Sequence, residues 1–213
     1  TSVEIKPYQP LLLDPSLAAL HYGQAIFEGI KAYKTNDGDA FIFRPIDNFK
    51  RFNRSARRMK MPAVPEEIFM EGMRQLIALD KNWIPAKKEH SLYIRPVMFS
   101  TDAMLGVRPS ETYKFLIILS PTGPYFATPM KILVEEQYTR AAPGGVGFSK
   151  NAGNYGGSML AASLAMAMGA AQASDHDTGT RSCFAEFTPM TGDVGAGTLP
   201  LSLRPATQVS AGP

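Results

Sequence analysis

Cysteine is almost absent from this 213-residue chain, in which Cys183 is the single example. One cysteine cannot form an intramolecular disulfide or a cluster of thiolate ligands, and it fits a reducing compartment. The three histidines, His21, His90 and His176, lack the spacing of metal ligands. These shortages give no support to a metal site and leave a hydrophobic core to hold the fold together.

Strong net charge and long apolar runs are absent as well. The formal net charge is +3, a balance too mild for a dedicated nucleic-acid binder. No apolar run approaches the length of a membrane span, and the N-terminus lacks the basic and apolar regions of a signal peptide. We therefore expect a cytoplasmic protein without nucleic-acid or membrane partners. A mitochondrial location stays open for a eukaryotic source, because a chain that starts at Thr1 leaves room for a missing targeting segment.

Strand patterns recur through the first half of the chain. Residues 30–43 read as two strands joined by the turn-forming run Asn36–Asp39. Leu92–Phe99 and Phe115–Leu119 are apolar runs of strand length, and we expect the second of them to be buried.

Helix patterns lie between these strands. Asp47 is placed to cap a helix that runs to about Lys60, and most of its basic face is expected to be solvated. Pro65 opens a second helix, in which apolar side chains recur at helical spacing. The mixture of helices and strands predicts an α+β or α/β fold.

Arg95 is a charged residue within the apolar strand Leu92–Phe99, on the same face as Tyr93. An unpaired buried charge is costly, so this arginine must find an anion or a carbonyl. A carboxylate suits its planar fork. Two kinds of carboxylate remain open, one on a bound ligand and one on an Asp or Glu of the protein itself.

Lys150 is the only lysine in the glycine-rich stretch from Arg140 to Ala161, and Tyr155 follows it five residues later. Glycines are dense where the backbone must approach something closely or adopt positive φ. A desolvated lysine loses its proton readily and can form Schiff bases. The stretch is either a frame that presents an amine to a bound molecule or a flexible surface loop with a solvated lysine.

Five motifs together resemble the branched-chain amino acid aminotransferases. They are LHYGQAIFEGIKAY, KRFNRSA, LYIRP, SPTGPYF and RAAPGGVGFSKNAGNYGGSMLA, and they follow the family's order over residues 4–169. The resemblance implies a pyridoxal 5'-phosphate (PLP) enzyme with the D-amino-acid-aminotransferase-like fold, fold type IV. D-amino acid aminotransferase and aminodeoxychorismate lyase are alternatives within that fold, although the first and third motifs are closer to the branched-chain group.

The resemblance also implies roles for individual residues. Lys150 matches the lysine that holds PLP as an internal aldimine and then moves the proton. Tyr155 matches the tyrosine that bonds the cofactor's phenolic oxygen, and Arg51 matches the arginine that binds its phosphate. Arg95 matches the arginine associated with the substrate carboxylate. The matched residues of the substrate pocket are aromatic: Tyr22, Phe27, Tyr93 and Tyr125.

The implied activity is transfer of the amino group of leucine, isoleucine or valine to 2-oxoglutarate. One methylene in an apolar pocket changes binding by only about 1–3 kcal/mol, so mixed specificity among the three is expected. The implied assembly is a homodimer or larger. The alternative is a non-catalytic fragment that retains the first domain as a dimerisation or interaction surface.

The resemblance ends near Ala170, beyond which neither the glutamate that pairs with the pyridine nitrogen nor the family's phosphate-binding turns can be recognised. Glu186 is not assigned to that role. We hypothesise a frameshifted or spliced ending, or a damaged gene. The expected domains are a small N-terminal domain (1–122), a linker (123–130), the start of an incomplete PLP-binding large domain (131–171) and a divergent, poorly ordered tail (172–213).

Overall fold

The computed structural model describes residues 4–124, 131–135, 137–170, 172–175 and 209–210. The chain divides into two compact units. Unit 1 comprises Thr1–Pro124 and Ser149–Gly153, and unit 2 comprises Tyr125–Phe148 and Asn154–Pro213. The predicted pocket residue Tyr125 lies outside the described residues, as do most of the predicted linker and most of the predicted tail.

Unit 1 contains a five-stranded antiparallel sheet with β4 at its centre. On one edge, β4 pairs with β5 over its whole length, and it also pairs with β1 and β2, which bond to different parts of the strand. β2 continues into β3, which confirms the two strands predicted on either side of Asn36–Asp39. The strands are β1 (Ala25–Phe27), β2 (Ile30–Lys34), β3 (Ala40–Ile42), β4 (Ser91–Ser100) and β5 (Tyr113–Thr122).

The helices of unit 1 are α1 (Ala18–Tyr22), α2 (Pro45–Arg58) and α3 (Glu66–Leu79), followed by a 3₁₀ turn at Lys81–Trp83. The start of α3 after Pro65 confirms the prediction.

The prediction that Asp47 caps α2 was wrong. The helix begins two residues earlier, at Pro45, whose fixed φ suits the first helical position. Asp47 therefore lies in the first turn, where its carboxylate accepts a hydrogen bond from Arg44 Nε at 2.7 Å.

The core of unit 1 lies between the sheet and helices α2 and α3. The rings of Phe52 on α2 and Phe69 on α3 are both fully buried, with centroids 5.4 Å apart. The ring centroid of Phe115 on β5 lies 5.6 Å from that of Phe52. The expectation that Phe115–Leu119 is buried was wrong, because these residues are only half-buried. Among the described strands β5 lies at the margin of the sheet, so its side chains have neighbouring strand residues on one side only and stay partly accessible.

Alternation along β4 separates the core from the opposite face of the sheet. Leu92, Ile94 and Met98 join the core, whereas Tyr93 and Arg95 are half-buried on the other face. The two-residue period therefore gave the correct faces. Phe27 pairs in register with Val97, two residues from Arg95, which places the Phe27 side chain on the same face as Arg95.

Unit 2 contains a three-stranded sheet in which β6 pairs in parallel with β7 and antiparallel with β8. Its elements are β6 (Lys131–Glu135), α4 (Ala152–Gly157, which begins in unit 1), α5 (Met159–Ala167), β7 (Gln172–Asp175) and β8 (Val209–Ser210). None of the helices in the described part of the chain is long and apolar enough to cross a membrane.

Asp102 holds the connection between β4 and β5. Its carboxylate accepts hydrogen bonds from the Glu111 amide at 2.7 Å and from the Thr112 amide at 3.1 Å, and the Thr112 hydroxyl also donates to it. The Glu111 amide contributes most to lowering the pKa of Asp102 from its ordinary 3.8 to about 2. The ionised carboxylate is therefore part of the folded connection.

We predict that Asp102→Asn lowers the melting temperature at neutral pH and that the difference from wild type shrinks in acid. A carboxyl whose folded pKa is depressed contributes stability above its ordinary pKa of 3.8, and that stability is lost as the pH falls through about 2. Asparagine resembles the protonated acid, so the two proteins should converge.

Thermal unfolding at pH 7, 5, 4, 3 and 2 measures this convergence. Asp37→Asn, at an exposed position in the β2–β3 turn, is the control and should leave the melting temperature unchanged at each pH. A constant gap between wild type and Asp102→Asn over the whole range would contradict the prediction.

Candidate active site around Lys150

Lys150 belongs to unit 1, in the short segment Ser149–Gly153. Its carbonyl accepts a hydrogen bond from the Phe27 amide at 3.1 Å, and Asn151 forms a β-bridge with Ile26. Its own amide donates to Ser55 Oγ at 2.9 Å. The backbone at Lys150 is thus attached to β1 and to α2, which favours a presented amine over a loose surface loop.

The Phe27 ring brings two cationic groups together. Lys150 Nζ lies 5.0 Å from the ring centroid, and the guanidinium carbon of Arg95 lies 4.8 Å from it. Cations near the face of an aromatic ring are attracted by its quadrupole. Three of the residues proposed from the sequence, on three separate segments, are therefore neighbours in unit 1.

Arg95 is oriented by neutral acceptors. Its Nε donates to the main-chain carbonyl of Glu28 at 3.0 Å, and its Nη2 donates to the Tyr93 hydroxyl at 2.7 Å. A carbonyl was one of the two partners expected from the sequence, and no carboxylate pairs with Arg95 within the described part of the chain. The positive charge is held in place without being neutralised there.

Arg51, on α2, pairs with a carboxylate that sequence reasoning missed. Glu28 is fully buried, and its Oε1 and Oε2 accept hydrogen bonds from Arg51 Nε at 2.6 Å and Nη2 at 2.7 Å. Asn48 Nδ2 donates to Oε2 at 2.9 Å. A buried carboxylate requires such partners. The signal in the sequence was a single charged residue within the apolar run AIFEGI.

Ser55 is a second residue that the sequence did not single out. It is buried one turn after Arg51, and its hydroxyl donates to the Arg51 carbonyl at 3.0 Å while accepting the Lys150 amide. Ser55 therefore joins α2 to the backbone of the lysine. The available signal was a small polar residue on the apolar side of α2, between Phe52 and Ala56.

Other proposed site residues lie elsewhere or make other contacts. The Tyr22 hydroxyl donates to the carbonyl of Leu105, and its ring lies 6.0 Å from that of His21. Tyr155 lies on α4 in unit 2, where its carbonyl accepts the Ser158 hydroxyl at 2.9 Å. The substrate role of Tyr22 and the cofactor role of Tyr155 stay predictions.

Proteins of known identity resemble this chain closely. Branched-chain-amino-acid transaminase 1 of Bacillus subtilis strain 168 is 51% identical over 169 residues, which cover 78% of this chain and 48% of the relative. Over its aligned part, this chain is homologous to the branched-chain amino acid aminotransferases. It spans about half the length of the curated relatives that it matches. No family model matches the chain.

Solved branched-chain aminotransferase structures share the fold. The Escherichia coli enzyme has a TM-score of 0.64 and 30% identity, over 78% of this chain and 54% of that one. A branched-chain amino acid aminotransferase complexed with 4-methylvaleric acid has a TM-score of 0.65 and 30% identity, again over 78% and 54%. The family resemblance and the expected fold type IV are confirmed.

We predict that Ser55→Ala loosens the backbone around Lys150. The substitution removes the acceptor of the Lys150 amide, and losing a buried hydrogen bond of this kind costs about 1–3 kcal/mol. Hydrogen–deuterium exchange of the peptide that contains Lys150 should become faster, by at least about fivefold for a loss of 1 kcal/mol.

Ser100→Ala is the matched control for this experiment. Ser100 is also fully buried in unit 1, but its hydroxyl has no hydrogen-bond partner among the described residues. Its replacement should leave the exchange around Lys150 unchanged. Equal exchange in Ser55→Ala and wild type would show that Ser55 does not hold the lysine segment.

Proposed function

We propose that this chain takes part in amino-group transfer from branched-chain L-amino acids to 2-oxoglutarate, with PLP as cofactor. The observation that carries the proposal is the grouping of Lys150 and Arg95 around Phe27. The identity to relatives named as branched-chain transaminases supports the reaction and the substrate class. A structural neighbour binds 4-methylvaleric acid, which joins a carboxylate to a branched aliphatic end.

The residues of unit 1 fit this cofactor in their chemistry. PLP needs an amine for attachment and cationic N–H donors for its phosphate, and it supplies an electron sink that weakens bonds at the substrate Cα. Lys150 provides the amine on an anchored backbone. Arg51 provides a guanidinium whose side chain is about one third exposed, at 36%. We propose that these two residues hold the cofactor.

Lys150 Nζ has two tasks in this proposal. It would hold the cofactor through its amine, and it would serve as the base that takes a proton from the substrate Cα. Both tasks require an amine at a reproducible position. The hydrogen bonds from Phe27 to Lys150 and from Lys150 to Ser55 hold the backbone from which that amine extends.

Arg95 is suited to bind the substrate carboxylate. Its bonds to the Glu28 carbonyl and the Tyr93 hydroxyl set the plane of the guanidinium and leave its charge intact. Charge-assisted bonds between a guanidinium and a carboxylate are about twice as strong as neutral ones. The rings of Phe27 and Tyr93 then offer apolar area for a leucine, isoleucine or valine side chain.

Further parts of the proposal rest on the family resemblance alone. They are the pocket roles of Tyr22 and Tyr125, the bond from Tyr155 to the cofactor's phenolic oxygen, and assembly as a homodimer. Each stays a prediction.

We predict that Lys150 is the attachment site. Borohydride reduction of the chain treated with PLP should fix a phosphopyridoxyl group on Lys150, because reduction makes the bond to an attached amine permanent. Lys150→Ala should abolish the label and any amino transfer from leucine to 2-oxoglutarate. Peptide mapping by mass spectrometry locates the label.

Lys34→Ala, at the exposed end of β2, is the control and should be labelled at Lys150 like wild type. A label on Lys34 or Lys131 in the wild-type chain would refute the assignment. Absence of both label and turnover would favour the alternative of a non-catalytic interaction module.

We predict that Arg51→Ala weakens PLP binding far more than Arg57→Ala or Arg58→Ala. Losing one charge-assisted bond to the phosphate costs about 1.5–3 kcal/mol, or roughly ten- to a hundredfold in affinity. Fluorescence titration gives the dissociation constants. Arg57 and Arg58 are exposed residues in the last turn of the same helix, so they control for the overall charge of α2.

Thermal unfolding of each variant without cofactor separates a lost phosphate contact from a damaged fold, because Arg51→Ala also removes the partner of buried Glu28. Equal dissociation constants in the three variants would mean that Arg51 does not bind phosphate.

A further inference from the structure

Glu28 lies between the two arginines to which the proposed function assigns anion binding. Its side-chain carboxylate accepts hydrogen bonds from Nε and Nη2 of Arg51. Its main-chain carbonyl accepts a hydrogen bond from Nε of Arg95 at 3.0 Å. Its own amide donates to the Pro96 carbonyl at 2.8 Å, which attaches the residue to β4. A single residue thus contacts both guanidinium groups while its own backbone is fixed to the sheet.

The two side chains of the ion pair between Glu28 and Arg51 differ in their exposure to solvent. The Glu28 side chain is fully buried, whereas the Arg51 side chain is 36% exposed. Oε2 of Glu28 also accepts Asn48 Nδ2 at 2.9 Å and the Gly29 amide at 3.3 Å. The carboxylate is therefore held independently of the arginine, and the arginine extends from it.

The planar geometry of the guanidinium determines which edge of Arg51 faces away from Glu28. A guanidinium carries five N–H donors in one plane. Glu28 takes the edge formed by Nε and Nη2, so the edge on Nη1 points away from the carboxylate. Long arginine side chains lose considerable rotamer freedom when they are ordered, and an arginine that is already ordered loses less on binding an anion.

We propose that Glu28 is a positioning residue that pre-orders Arg51 for the cofactor's phosphate, an inference that rests on the proposed function. It does not touch the phosphate itself. It acts through Arg51, with Asn48 as support, and its effect is specific to ligands that carry the phosphate. A purely structural buried ion pair would instead affect phosphorylated and unphosphorylated ligands equally.

The test compares affinities for PLP and for pyridoxal, which lacks the phosphate, by fluorescence titration of the full chain. Glu28→Asp keeps the negative charge but shortens the reach to Arg51. We expect it to lower the preference for PLP over pyridoxal about tenfold, because the arginine must then be ordered on binding. In an Arg51→Gln background the same change should have no further effect on this preference.

Glu71→Asp is the matched control. Glu71 forms the same two-bond pair with Arg74, at 2.7 and 2.6 Å, but on the exposed surface of α3. Its substitution should leave the preference unchanged. Asn48→Ala removes one support of the Glu28 carboxylate and retains the ion pair. It should also lower the preference for PLP over pyridoxal, by a smaller factor than Glu28→Asp. This variant replaces Glu28→Asp in the test if Glu28→Asp does not fold.

The outcomes separate the inference from the proposed function. A wild-type chain that binds PLP and pyridoxal equally would overturn the phosphate role of Arg51 and the inference with it. A wild-type preference that is unchanged or increased in Glu28→Asp and Asn48→Ala would overturn the inference alone. A lowered preference that persists in the Arg51→Gln background would also overturn it, since Glu28 would then not act through Arg51.

Discussion

The arrangement of unit 1 around Lys150 depends on a buried carboxylate with several partners. Glu28 is fully excluded from solvent, and a charge in that position is stable only with donors around it. Arg51, Asn48 and the Gly29 amide supply them. Because these donors belong to α2 and to the turn between β1 and β2, satisfying one carboxylate joins a helix to the sheet next to the lysine.

A second constraint is the alternation along β4. A sheet with helices on one face must direct every other side chain to the opposite face, and polar groups that cannot enter the core collect there. Arg95 and Tyr93 lie on that opposite face, and Phe27 joins them through the register of β1 with β4. The Phe27 ring then lies near Lys150 Nζ. The core residues Phe52, Phe69 and Ile94 occupy one face of the sheet, and the side chains of the candidate site are therefore on the opposite face.

Local patterns predicted much of the fold and part of the candidate site. The strand around Arg95, the turn at Asn36–Asp39 and the helix after Pro65 follow from periodicity and turn chemistry, which act over a few residues. The cap at Asp47 was misplaced because Pro45 starts the helix earlier. Glu28 and Ser55 were missed because their roles depend on partners 23 and 95 residues away along the chain.

The sequence by itself determined the chemical groups and the family resemblance. Lys150 in its glycine frame, Arg95 in an apolar strand and the five ordered motifs were sufficient for that, since residue type and local spacing are properties of the chain alone. Only the tertiary structure decided that Arg95 bonds a carbonyl, that Arg51 pairs with Glu28 and that Ser55 holds the Lys150 amide. Each of these contacts joins segments that are distant in sequence, and which donor reaches which acceptor depends on how the helices pack on the sheet.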